Sequence, residues 1–206
     1  MADLATYIMR SVGIPVSNDF VPQWPDRDMG HNWNVVLDKN GKTIMFLGAE
    51  DSPGTPHKPG TKKGKVYRRS YSINKGSLAI IKDSTDVIPT FFLNPRLIDV
   101  TNQYTTCFNI PVPLLNKNNQ KYAYLGVFND KLWVPIAWGK VINGETAEFD
   151  NMEGGVVYLP LIFDNKAKMM AANYPFILDE NGSKIFLIPD TLNKVKKLRF
   201  QITIRT

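Results

Sequence analysis

The hydrophobic pattern opens on a helical period and then turns almost wholly to the two-residue period of strands. Leu4, Tyr7, Ile8 and Val12 recur at helical spacing, Arg10 falls in the last turns, and Gly13 with Pro15 supplies a stop, which predicts a helix ending near residue 12. No N-cap residue or loop precedes it, so the chain is expected to open inside a helix. Residues 14–23 (IPVSNDFVPQ) read as extended backbone broken by prolines. HNWNVVLDK and KTIMFLGAE then flank Asn40-Gly41, the strongest short signal for a two-residue hairpin loop.

A Pro/Gly/Lys loop follows over residues 52–64, then a strand, KVYRRSYSI. Beyond a boundary at 76–97 the pattern predicts strands at Tyr104 to Leu115, Tyr122 to Phe128, Leu132 to Ile142, Thr146 to Phe149, Gly155 to Phe163, Phe176 to Leu178, Lys184 to Ile188 and Lys194 to Arg205. Asn129-Asp130 and Asn143-Gly144 read as two-residue hairpin turns, so the strands they join are antiparallel neighbours. Short strands at this spacing predict a β-sandwich. The expected fold is therefore α+β: a helix plus antiparallel sheet over 1–75, a linker over 76–97, and an antiparallel β-sandwich over 98–206.

Composition removes several classes of function. With 43% hydrophobic and 21% charged residues the chain is no disordered polymer, and no apolar run reaches the roughly 20 residues of a membrane-spanning helix. The N-terminus lacks the basic and apolar regions of a signal peptide. One cysteine, Cys107, excludes an internal disulfide framework, and two histidines without a Cys/His cluster argue against a metal site. Cys107 sits in the apolar strand TTCFNIPVPL and reads as core filling. The net charge of +6 is concentrated early, since residues 1–75 hold 11 of the 25 Lys/Arg and 7 of the 19 Asp/Glu. Lys58, Lys62, Lys63, Lys65, Arg68, Arg69 and Lys75 form a run without an acid, interleaved with Tyr67 and Tyr71. Without a recognisable nucleic-acid module this run reads as a solvated loop and strand rather than a phosphate-binding face. Gly60 to Lys65 also fails as a phosphate loop, on its glycine spacing and because Val66 stands where Ser or Thr is needed.

The turn sets which side chains meet. With Asn40 and Gly41 as a two-residue loop, Lys39 faces Lys42 and His31 faces Glu50, whose Cβ atoms would stand about 4.5–5.5 Å apart. Asp38, the other acid on the strand, lies about 23 Å from His31 at roughly 3.3 Å per residue and on the opposite face. A histidine oriented by a carboxylate is the base half of a nucleophilic triad, although a purely structural polar pair has the same appearance.

The run from Ala2 through Glu50 resembles the transglutaminase-like, papain-type thiol hydrolase family: a helix ending in MRSVGIPV, the extended DFVPQW, then GHNWNVVLD and a second strand ending in an acid. The resemblance implies His31 as general base within an H-x-W element, Glu50 at the position of the orienting Asp, Trp33 and Trp24 as walls of a substrate cleft, and no cofactor. It also implies a cysteine just before Met1, so the expected chain is truncated ahead of its nucleophile and inactive as given. YAYLGVFNDKLWVPIAWG and GGVVYLPLIF are similar to stretches of multidomain surface or periplasmic proteins of Bacteroidetes-type bacteria, which implies a periplasmic or cell-surface setting. The expected partner is a peptide, protein or glycan. Two functions stay open: a cysteine acyltransferase or amide hydrolase, and a non-catalytic glycan- or peptide-binding protein. For the latter, Tyr122, Tyr124, Trp133, Trp138 and Tyr158 form either a stacking platform or cross-strand core pairs.

Overall fold

The structure is a computed structural model that describes residues 1–48, 50–55, 61–164 and 166–190. The strand expected over Lys194 to Arg205 lies outside the described residues, as do Lys58 and Gly60. Helix α1 (Ala2–Ser11) leads into β1 (Val16–Val21), β2 (His31–Leu37) and β3 (Thr43–Phe46), followed by β4 (Tyr67–Arg69), the one-turn helix α2 (Leu78–Ile81) and β5 (Leu97–Asp99). These five strands form an antiparallel sheet in the order β3-β2-β1-β4-β5.

The second sheet is built from β6 (Cys107–Pro113), β7 (Tyr122–Phe128), β8 (Trp133–Ile142), β9 (Thr146–Glu153), β10 (Val156–Phe163), β11 (Met169–Ala171), β12 (Phe176–Leu178) and β13 (Lys184–Phe186). Its order is β13-β12-β10-β7-β8-β9-β6, with β11 paired to β10. The strands flanking Asn129-Asp130 and Asn143-Gly144 are antiparallel neighbours, but neither dipeptide is itself a two-residue loop: Ile142 pairs with Thr146, leaving residues 143–145, and Asn129 N–H bonds the Leu132 carbonyl, leaving Asp130 and Lys131 between them.

Two expectations are corrected here. The chain is not α+β of papain type but mostly β, with 39% strand and 11% helix among the described residues. Only α1 has the length of a real helix, because the segment 76–97, with Pro89 and Pro95, condenses into α2 and a single turn over Thr90–Leu93. Among the described residues the second unit, in turn, is one eight-stranded sheet rather than two facing ones. Bulges between Leu125 and Gly126 and between Phe108 and Ile110 bend it. Inward residues from both ends of its strand order, such as Ile110, Leu125, Phe149, Tyr158 and Phe176, then meet in one core.

The bulges also fasten the sheets together. In β8, Pro135 has no N–H and Ile136 is the extra residue, so its carbonyl is left to accept the buried Tyr67 hydroxyl from β4 at 2.9 Å. In β9, Asn151 takes a positive φ of 50°, and the Asp150 and Asn151 carbonyls accept Lys65 Nζ at 2.5 and 3.2 Å. Lys65 also pairs with Asp99 at 2.7 Å, its side chain 5% exposed. The basic run is thus solvated only in part: Asp99 and Asp19 draw Lys65 and Arg68 inward, while Lys62 and Arg69 meet Glu180 and Asp3 at the surface and Lys75 is exposed.

Burial, with the charge of Asp99 or Glu153 nearby, pushes the phenols of Tyr67 and Tyr158 well above their usual range, and Tyr124 and Tyr104 shift the same way. The unfolded chain releases these protons near pH 10 while the folded chain holds them, so stability falls as pH rises above about 10. Thermal melts by circular dichroism are expected to show a lower midpoint at about pH 10.5 than at about pH 8, and an unchanged midpoint would contradict the burial of these four groups.

Candidate active site

His31 opens β2, where it pairs with Val21 of β1. The loop between them is pinned by Gln23, whose Nε2 donates to the Arg27 carbonyl at 2.6 Å, and by Trp24 N–H on the Met29 carbonyl at 2.9 Å. This folds Trp24 back over the imidazole. His31 is exposed at its edge and flanked by two indoles, Trp24 at 6.1 Å and Trp33 at 6.0 Å between ring centroids. Both tryptophans are buried.

Trp33 is fixed in its turn. Its Nε1 donates to Tyr104 Oη at 2.9 Å, and Tyr104 donates to Asp19 Oδ2 at 2.6 Å. Arg68 completes the group with a bidentate pair on the fully buried Asp19, Nε to Oδ1 and Nη2 to Oδ2, both at 2.7 Å. The network ties β1, β4 and the residues after β5 to the strand that carries the histidine.

On the other face of β1 and β2 lies α1, joined through small polar groups. Asn34 Nδ2 stands 2.9 Å from the Ala2 carbonyl, Thr6 Oγ1 and Asn18 Oδ1, and Thr6 Oγ1 is 2.7 Å from Asn18 Oδ1. The helix therefore presents Thr6, with Ala5 and Met9, to the sheet, while the stripe Leu4, Tyr7, Ile8 and Val12 that announced it is exposed. Gly48 allows the chain after β3 to pass beneath the first turns, since a Cβ there would lie 2.6 Å from both Ala5 Cβ and Asn34 Oδ1.

The hairpin register differs from expectation by one residue. Leu37 faces Thr43 and Asn34 faces Phe46, so the loop is Lys39-Asn40-Gly41 rather than Asn40-Gly41. Asp38 is the reason. Its Oδ1 accepts the N–H of Asn40 and of Lys42, both at 2.8 Å, and only Gly41 takes a positive φ, 79°. That is a three-residue loop with glycine in the left-handed position. Glu50 consequently does not oppose His31 across the ladder, which ends at Phe46, but follows a turn in which its N–H bonds the Leu47 carbonyl at 2.9 Å.

Both residues nevertheless line one space. His31 and Glu50 border one hollow of about 280 Å³ whose remaining walls include Met1, Ala2 and Asp3. No hydrogen bond or ion pair joins them, and the Glu50 side chain is exposed. Two further hollows open on His31: one of about 200 Å³ walled by Trp24, Arg27, Trp33 and Lys63, and a groove of about 550 Å³ walled by Phe20, Phe91 and Arg69.

Cys107 is elsewhere. It starts β6 in the second sheet and pairs with Glu153. Burial first, then the charges of Asp99 and Glu153 against that of Lys65, pushes its thiol up to about 11, and it donates to the Thr105 carbonyl at 3.5 Å. A thiol protonated at neutral pH is a poor nucleophile. Among the described residues no three His, Cys, Asp or Glu converge as a metal set, and no helix is long and apolar enough to cross a membrane.

Neither the protein families, nor the curated proteins, nor the solved structures compared with this chain match it.

Proposed function

We propose that His31 and Glu50 are the base and the carboxylate of a cysteine-type acyl-transfer or amide-hydrolysis site of the transglutaminase-like kind. The observation that supports this is the shared hollow. It brings His31, Glu50 and the first turn of α1 to the border of one space, although they come from positions 31, 50 and 1–3. A thiol at the start of the helix would gain from the unpaired N–H groups of its first turn, which favour the thiolate and a developing oxyanion. His31, whose ring lies beside Trp24 and Trp33 on the face of β2 away from α1, would turn around the exposed end of the strand to take the thiol proton and return it to the leaving amine. Glu50 acts across the hollow through solvent rather than as a cross-strand partner. The chain itself has no thiol there, so these residues are expected to turn over no acyl donor.

Supplying the thiol tests the reading. Ala2→Cys places one in the first turn of α1, on the wall of the hollow. Its alkylation by iodoacetamide at neutral pH, resolved by mass spectrometry, is expected to run about fivefold or more faster than that of Lys39→Cys in the exposed hairpin turn. His31→Ala should remove the excess. Equal rates at the two introduced thiols, or an excess indifferent to His31, would overturn the assignment. So would turnover by the unaltered chain that iodoacetamide abolishes.

A further inference from the structure

Between the two sheets lies a separate cavity of about 430 Å³, within the roughly 300–1,000 Å³ of small-molecule sites. Ser77 lines it and caps α2. A serine at that position ordinarily accepts an N–H from the helix's first turn, but Ser77 makes no such bond. Its hydroxyl is buried without any partner, and the residue is 7% exposed. Such a group is destabilising unless something in the cavity satisfies it.

The other walls decide the charge of the occupant. Lys65 is committed to Asp99 and to the Asp150 carbonyl. Lys140 faces Glu148 across the β8–β9 ladder, and Asp150 adds a second carboxylate on the same side. One amine against two carboxylates disfavours a phosphate or a carboxylate ligand. Trp138, half-buried and in edge contact with Tyr122 at 5.9 Å, contributes an apolar ring with an N–H donor. Of the five aromatics singled out from the sequence, Tyr124 and Tyr158 are buried in the core and cannot stack on a ligand.

We propose that this cavity binds a neutral saccharide unit, stacked against Trp138, with sugar hydroxyls donating to the Glu148 and Asp150 carboxylates and meeting the unpaired Ser77 hydroxyl, which is closed off as placed and reaches the cavity by rotation about its Cα–Cβ bond. A polyol satisfies all three polar groups without a net charge, and its C–H face suits an indole. Asn94 and Leu97 wall both this cavity and the groove on His31, so the two spaces are neighbours. The proposal stands without the acyl-transfer reading.

The full chain is titrated with cellobiose, maltose and N,N′-diacetylchitobiose, and with glucose 1-phosphate as an anionic counterpart, by calorimetry and tryptophan fluorescence. Saturable binding of at least one neutral disaccharide is expected, weakened about tenfold or more by Trp138→Ala and about fivefold by Ser77→Ala. Ser77→Ala should be at least as stable as the parent chain, because it removes an unsatisfied group, so its loss of binding cannot be a loss of fold. Trp138→Phe serves if the alanine variant does not fold, and should keep part of the affinity. No saturation by any of the three disaccharides, tighter binding of glucose 1-phosphate, or binding unchanged in Ser77→Ala would overturn the proposal.

Discussion

Alanine in place of Asp19 is expected to destabilise the chain by about 3–5 kcal/mol, the usual cost of removing one partner from a buried ion pair. Asp19 is fully buried and accepts both nitrogens of Arg68 and the hydroxyl of Tyr104. Without it, a guanidinium whose side chain is 17% exposed keeps, among the described residues, only the Gln103 side chain as an acceptor, at 2.9 Å. Burial opposes the charge on Arg68, and the bond to Asp19 more than restores it, so its pKa stands above the usual arginine value. Urea unfolding measures the loss. The double replacement Asp19→Leu with Arg68→Met should recover most of it, because it removes both charges together. Tyr104 would remain partly satisfied by the Trp33 N–H. A loss under about 1 kcal/mol in Asp19→Ala would mean that water reaches the pair. The same variant should change Trp33 fluorescence, since Tyr104 loses the anchor that orients it.

That network shows where the sequence stops being legible. Asp19, Arg68 and Tyr104 are 49 and 85 residues apart, and no local pattern links them. Arg68 belonged to a run of cations whose local composition suggested solvent. What was legible was local: α1, the strands of the first hairpin, and the antiparallel meander of β7, β8 and β9. Even there, spacing gave the element and not its face. Leu4, Tyr7 and Ile8 announce a helix, yet the sheet takes Thr6 on the amides of Asn18 and Asn34, and Ala5 and Met9 on a small apolar floor of Val16, Val36 and Phe46.

The hairpin failed in a similar way. Asn40-Gly41 locates the turn, but Asp38, two residues earlier, supplies an acceptor for Asn40 and Lys42 and lengthens the loop by one residue. One residue of slip moves every partner across the ladder. His31 and Glu50 nevertheless border one hollow, because the turn after β3 brings the acid back through Gly48, a path no register argument contains. In the second sheet, the extra residue Ile136 follows Pro135, which was visible as a proline but not as a bulge, and its freed carbonyl is what Tyr67 needed.

Glu153→Ala is the change expected to loosen the two sheets from each other. Glu153 is 3% exposed at the end of β9, where its carboxylate accepts the backbone N–H of Lys63 at 2.5 Å and of Gly64 at 2.7 Å, and the Thr105 hydroxyl at 3.0 Å. The segment it holds leads into β4 of the first sheet and lies against the second, where the Tyr158 hydroxyl reaches it at the Gly64 carbonyl, 3.3 Å away. Alanine leaves three donors without an acceptor. At about 1–3 kcal/mol for each buried unsatisfied group the loss should exceed about 3 kcal/mol, less than the full sum because the groups share one site. Glutamine separates acceptor from charge. Its one oxygen can take both N–H groups while its amide donates to Thr105, so Glu153→Gln should lose no more than about 1–1.5 kcal/mol. Hydrogen exchange at Lys63 and Gly64, followed with urea unfolding, distinguishes the cases: fast exchange in the alanine variant, slow in the glutamine one. Equal damage in both would make the negative charge the essential feature, and an undisturbed alanine variant would show that this segment does not hold the sheets. The two candidate sites should then part company. The saccharide cavity draws walls from both sheets and should be lost with Glu153→Ala, whereas the hollow at His31 takes its walls from α1 and the first sheet with its turn, so the Ala2→Cys thiol should keep its His31-dependent reactivity.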